Sequence, residues 1–138
     1  MKLGLKEIND LFIEKGIKPT YHRVLIYDFL QNNRIHPTAE EIYKNIIKVY
    51  SQLSKATVYN TLDLLSKKKI IKVIPLTNQE NHYDDRLDFH AHFICKKCGH
   101  IYDVSVDELL LSGIEKFDIE EKEVILTGIC KKCKTEEK

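Results

Sequence analysis

The sequence predicts an α+β chain, a winged helix-turn-helix domain followed by a small α/β domain stapled by zinc. Three observations predict it. Helical apolar spacing recurs four times in the first half and gives way to a β-branched run, Ile70-Ile71-Lys72-Val73-Ile74. The four cysteines fall in two pairs, Cys95-Lys96-Lys97-Cys98 and Cys130-Lys131-Lys132-Cys133. The net charge of +1 is unevenly spread: through Glu80 basic residues outnumber acidic ones by five, and from Asn81 onward acidic residues lead by four. A basic front suits a polyanion partner, though a plain solvated surface would carry the same excess. An acidic back suits cation binding or a dimer interface.

At 138 residues the chain fits one domain or two small ones. Two halves of roughly 80 and 55 residues would each be marginal, so the smaller needs a staple. No apolar stretch is long enough to cross a membrane. The opening Met1 to Glu7 turns charged too soon for a secretory signal. A cytoplasmic protein with reduced thiols is expected, which disfavours disulfides.

The helices follow in order. Leu5, Ile8, Leu11 and Phe12 make the buried stripe of a first helix, which Gly16 ends. Thr20 caps a second, running to about Asn32, with Tyr21, Val24, Leu25 and Phe29 inward. Thr38 and Glu41 form a capping box for a third, whose apolar face runs from Ala39 through Ile42, Tyr43, Ile46 and Ile47 to Tyr50. Ser54 caps a fourth, Lys55 to about Lys67, with Val58, Leu62 and Leu65 inside.

Helix, short turn, helix is the pattern whose second helix enters the major groove. Ser54, Lys55, Thr57, Tyr59 and Asn60 carry suitable chemistry. Lysine and hydroxyls hold phosphates, asparagine pairs adenine, and tyrosine meets a thymine methyl or a phosphate. A helical hairpin with a polar outer face is the competing reading. The strand at Ile70 to Ile74, a turn at Thr77 to Asn81 and a return strand from His82 would make the wing. Residues 1–83 are thus expected to be the DNA-binding domain, 84–89 a polar hinge, and 90–138 the zinc-containing domain. There the expected order is a strand at Phe93-Ile94, the first cysteine knuckle, and a strand at Ile101 to Val104. A helix at about Asp107 to Lys116, a strand at Glu123 to Thr127, the second knuckle and a disordered tail complete it.

Cys95, Cys98, Cys130 and Cys133 match a tetrahedral thiolate zinc site, one zinc per chain. The 31 residues between the pairs exceed the usual ribbon spacing, so a small subdomain must fold between them. His90 and His92 alternate with Ala91 and Phe93, so on a strand both imidazoles project from one face. With Asp84, Asp85, Asp88 and Asp103 nearby, a second metal site of nitrogen and oxygen ligands is the better reading of that pair. By position alone His36 reads as a loop histidine.

Three stretches, His36-Pro37-Thr38-Ala39-Glu40-Glu41-Ile42-Tyr43, Ser54-Lys55-Ala56-Thr57-Val58-Tyr59-Asn60-Thr61-Leu62 and His90-Ala91-His92-Phe93-Ile94-Cys95 with Cys98-Gly99, resemble the ferric uptake regulator (Fur) family. The resemblance runs from about Leu3 to Cys133. It implies a homodimeric repressor with a winged-helix domain, an α/β dimerisation domain and a regulatory metal at the hinge, Fe2+ or Mn2+, one per chain. By position it implies His36, Asp84, His90, His92 and Asp103 as regulatory ligands, with Asp85 the alternative to Asp84. His82 and His100 match no ligand position and read as surface histidines.

Within the family, Asp84, Asp103 and Asn60 resemble the peroxide-sensing branch, PerR. Phe89 and Ala91 stand where other branches carry further ligands, which puts an additional metal site in doubt. The function implied is repression at an AT-rich palindromic operator in double-stranded DNA. It would be relieved when peroxide oxidises His36 or His90. The alternative is an iron-responsive repressor; a zinc enzyme or a zinc-stabilised interaction module is a more distant reading.

Overall fold

The structure is a computed structural model that describes residues 2–75 and 80–136. It divides into two compact units, Met1–Leu87 and Asp88–Lys138.

In the first unit α1 (Leu5–Glu14), α2 (Tyr21–Asn32), α3 (Ala39–Ile46) and α4 (Lys55–Lys67) precede β1 (Lys72–Ile74) and β2 (His82–Asp84). Gly16 follows α1 at φ +76, a conformation that costs glycine little, and its N–H returns to the Ile13 carbonyl at 3.0 Å. The expected box closes at α3: the Glu41 N–H donates to the Thr38 hydroxyl at 3.2 Å, and Glu41 Oε1 accepts the Thr38 N–H at 3.1 Å. Ser54 caps α4 by accepting the Thr57 N–H at 3.1 Å. Thr20 differs. It stands at the N-cap of α2 without a capping side-chain bond, and its hydroxyl meets His22 Nε2 instead.

Ile8, Phe12, Ile26, Leu30, Ile42, Val58, Leu62 and Leu65 form the centre of the apolar core, with Ile70 and Ile71 closing it. The buried face of α2 is Val24, Ile26, Tyr27 and Leu30 rather than the stripe expected. Tyr21 is exposed and sits edge-on to Tyr50, while Leu25 and Phe29 are only half-buried against the core. The wing strands pair antiparallel, Lys72 opposite Asp84 and Ile74 opposite His82. Most of the expected turn at Thr77 to Asn81 lies outside the described residues.

In the second unit β3 (Ala91–Cys95) is the middle strand, antiparallel to β4 (Ile101–Val104) and parallel to β5 (Ile125–Gly128). α5 (Lys131–Glu136) starts at the second knuckle, where a disordered tail was expected. The helix expected at Asp107 to Lys116 is absent: between β4 and β5 the chain forms only bends and single turns. The physical reason lies in what surrounds its apolar residues. Leu110 is 81 % exposed and Phe117 65 % exposed, so no core of this chain stabilises a helix too short to stand alone. Gly113 at φ +78 also breaks it. Among the described residues no helix is long and apolar enough to cross a membrane.

Candidate functional site

The chemistry-bearing residues fall into four groups, two in each unit. In the second unit Cys95 ends β3, Cys98 closes the turn after it, and Cys130 and Cys133 flank the start of α5. Their sulfurs all lie within 4.8 Å of one another. Cys98 Sγ and Cys130 Sγ are 3.8 Å apart, nearly twice the roughly 2.05 Å of a disulfide. Four sulfurs at about 2.3 Å from a central zinc would be separated by about 3.8 Å, so the donor set and its size fit that ion.

The backbone prepares the sulfurs. The N–H groups of Cys98 and Cys130 point at Cys95 Sγ at 3.5 and 3.4 Å, and the Cys133 N–H points at Cys130 Sγ at 3.5 Å. Hydrogen bonds from Cys98 and then Cys130 pull the Cys95 thiol down to about 6. A hydrogen bond from the Tyr102 hydroxyl lowers Cys130, and its counterpart raises Tyr102 to about 12. Burial pushes Cys133 up to about 12. Cysteine binds metal as the thiolate, so a cation entering this cluster would release thiol protons. Gly99 sustains the first turn at φ +75, its N–H on the Cys95 carbonyl at 2.9 Å.

The same unit holds a second group. His92 and Asp103 are direct partners across β3 and β4, which puts both side chains on one face. His90 lies one residue before β3, its ring edge-on to His92 with centroids 4.5 Å apart. Asp103 Oδ1 is 3.1 Å from His90 Nε2 and 3.5 Å from His92 Nε2. With Nδ1 protonated, His90 donates to the Asp88 carbonyl at 2.8 Å, which directs Nε2 toward Asp103. Both histidines are buried.

In the first unit His36 and Asp84 meet, His36 Nε2 3.6 Å from Asp84 Oδ2, both buried. His36 sits at φ +57, a left-handed conformation that costs a non-glycine residue roughly 1–2 kcal/mol. The wing holds it there. His82 Nδ1 hydrogen-bonds the His36 carbonyl, the Tyr83 N–H donates to the Pro37 carbonyl at 3.0 Å, and Thr38 bridges to His82. His82, expected to be a surface histidine, is half-buried and supports His36. Asp84 Oδ1 accepts the Arg86 N–H at 3.0 Å. Asp85, the alternative ligand, is instead forked onto Arg34.

The last group is the outer face of α4. Ser54 and Thr57 are occupied with the cap, their hydroxyls 2.8 Å apart. Lys55 pairs with Glu40 Oε1 at 3.2 Å and lies over the Tyr43 ring. The pair is exposed and screened by solvent. Tyr59 and Asn60 are exposed. Asn60, Thr57 and Thr61 line one depression with His22 and Arg23 of α2. Sequence reasoning passed over His22 and Arg23; two basic side chains in the first turn of a helix beside α4 were the available signal.

Comparison with known proteins places these groups in one lineage. The model of the ferric uptake regulator family matches residues 14–120. The peroxide-responsive repressor PerR of Staphylococcus epidermidis is 32% identical over 126 residues, covering 88% of this chain and 84% of that one. The peroxide operon regulator of Bacillus subtilis is 30% identical, with 96% and 95% covered. The solved structure of the Helicobacter pylori ferric uptake regulator superposes with a TM-score of 0.75 at 22% identity, covering both chains in full, a likeness of fold. The family match spans the helix-turn-helix, the wing, His90 and the strands bearing His92 and Asp103, and the chain belongs to the ferric uptake regulator family.

Proposed function

We propose that this chain is a metal-dependent DNA-binding repressor that senses peroxide through its regulatory metal. The observation that carries this reading is the coexistence of two unlike donor sets in a chain 32% identical to a peroxide-responsive repressor. Thiolates suit zinc, whereas imidazoles with carboxylates suit ferrous iron or manganese. Cys95, Cys98, Cys130 and Cys133 hold one structural zinc. His36 and Asp84 from the first unit, with His90, His92 and Asp103 from the second, hold one regulatory ion.

Residues 1–83 are the DNA-binding domain, 84–89 the hinge and 90–138 the dimerisation domain. A second copy covers the exposed Leu110, Leu111, Phe117 and Ile119. The dimer presents two α4 helices to an AT-rich palindrome in the cytoplasm. Lys55, Ser54 and Thr57 face phosphates, and Tyr59 and Asn60 face base edges.

Ligands drawn from both units make the metal a clamp on the angle between the two DNA-reading helices. Ferrous iron held by these residues would activate peroxide for O–O cleavage next to the imidazoles, with the two electrons coming in net from the ring that is oxidised. His36 or His90 takes up one oxygen atom and water is the other product. The oxidised ring is a poor donor, so the two half-sets part and the helices lose their spacing. Manganese does not run this chemistry readily, so DNA binding should persist with it.

The test is a gel shift on palindromic AT-rich DNA with and without manganese. Wild type should bind only with the metal. Asp103→Ala should keep its zinc and its thermal melt yet lose metal-activated binding. Metal-independent binding by wild type would contradict the proposal.

A further inference from the structure

Two residues before His36 stands Arg34, and immediately after Asp84 stands Asp85. Arg34 Nε donates to Asp85 Oδ1 at 3.1 Å and Nη2 to Asp85 Oδ2 at 3.0 Å. This is a two-point fork, which fixes angle as well as distance, as a lysine could not. It joins residues 51 apart in the chain. The Asp85 side chain is 5 % exposed and Arg34's 37 %, so the pair stands at the rim of the unit with its acceptor inside.

The fork acts on both neighbours. Asp84 is the last residue of β2, and Asp85 stands at the bend that follows it. With Asp85 drawn to Arg34, Asp84 is turned toward His36, and the Arg86 N–H on Oδ1 leaves Oδ2 on the His36 side. At the other end Arg34 anchors the connection in which His36 holds φ +57.

We propose that Arg34 and Asp85 are a positioning pair that selects Asp84 over Asp85 as the regulatory metal's carboxylate and sets its spacing to His36. The proposal rests on the reading of His36 and Asp84 as ligands. An ion pair that only ties a loop to the wing would affect folding stability but not the choice of ligand.

The experiment is a cobalt(II) titration of zinc-loaded, full-length protein, reading both affinity and the visible ligand-field bands. A melt of the protein without cobalt monitors folding. In wild type, Asp84→Ala should weaken cobalt binding about 100-fold, and Arg34→Gln should weaken it about tenfold and shift the bands, the range known for residues that orient ligands. In the Arg34→Gln background Asp85 is released to compete, so Asp84→Ala should cost about tenfold or less. Wild-type affinity and bands in Arg34→Gln would overturn the proposal. So would an equal cost of Asp84→Ala in both backgrounds, which leaves the pair a structural tie. Asp84→Ala binding cobalt as wild type does would remove the ligand reading itself and this proposal with it. If Arg34→Gln does not fold, Arg34→Lys, which keeps the charge without the fork, is read the same way.

Discussion

The two units are built on different economies of burial. The first encloses Ile8, Phe12, Ile26, Leu30, Ile42, Val58, Leu62 and Leu65 behind amphipathic helices whose caps and stripes agree with one another. Among the described residues the second has Cys95, Cys130 and Cys133 with Phe93 packed against them as its buried cluster, and it leaves Leu110, Leu111 and Phe117 on the surface. The contrast teaches where each unit's stability comes from. One is held by apolar area removed from water. The other shows a cluster of metal-ligating thiols and outward-facing leucines in place of such a core.

Breaking the zinc site should therefore have the largest effect. Cys98→Ser should lose zinc, unfold the second unit and abolish the dimer, since structural zinc contributes on the order of 10 kcal/mol. The helical signal of the first unit should survive. Zinc analysis with sedimentation and circular dichroism checks this, and a stable zinc-free dimer would remove the contrast. The matching lesion in the first unit is Leu62→Ala, which should cost about 2–5 kcal/mol. It should lower the melt of that unit while zinc stoichiometry stays at one per chain, read by calorimetry and metal analysis. The smallest effects belong to the α4 surface, where no core is touched. Asn60→Ala should cost about 1–3 kcal/mol at one base position. Lys55→Ala should weaken all sequences alike and flatten the salt dependence by about one counterion. Binding titrations on operator point variants at several salt concentrations separate the two.

The same contrast governs what the sequence made legible. In the first unit the information is local: Thr38 with Glu41 announces α3, and Val58, Leu62 and Leu65 announce the buried side of α4. Each residue's neighbours within a few positions decide its fate. The stretch Asp107 to Lys116 was misread because apolar spacing was taken to imply a core within this chain. Its leucines instead face outward. The cysteine pairs were readable because their spacing carries its own geometry. His36 was not, since nothing within ten residues marks it as a ligand. Its role became an expectation only through resemblance.

The pairings of Arg34 with Asp85 and of His82 with His36 were invisible for a related reason. Arg34 meets Asp85 across 51 residues, and His82 meets His36 across 46. Such pairs between distant segments have no period, so only the fold reveals them. The outer face of α4 was legible as a polar surface. The shared depression with His22 and Arg23 needed the packing of α2 against α4.

The most direct measurement compares iron-loaded with manganese-loaded protein under low hydrogen peroxide, by peptide mass spectrometry and gel shift on the same samples. The account predicts a gain of one oxygen on His36 or His90 and loss of DNA binding with iron, and neither change with manganese. Iron-loaded protein that keeps both histidines unmodified and stays on DNA would contradict it, leaving an iron-responsive repressor as the reading that survives.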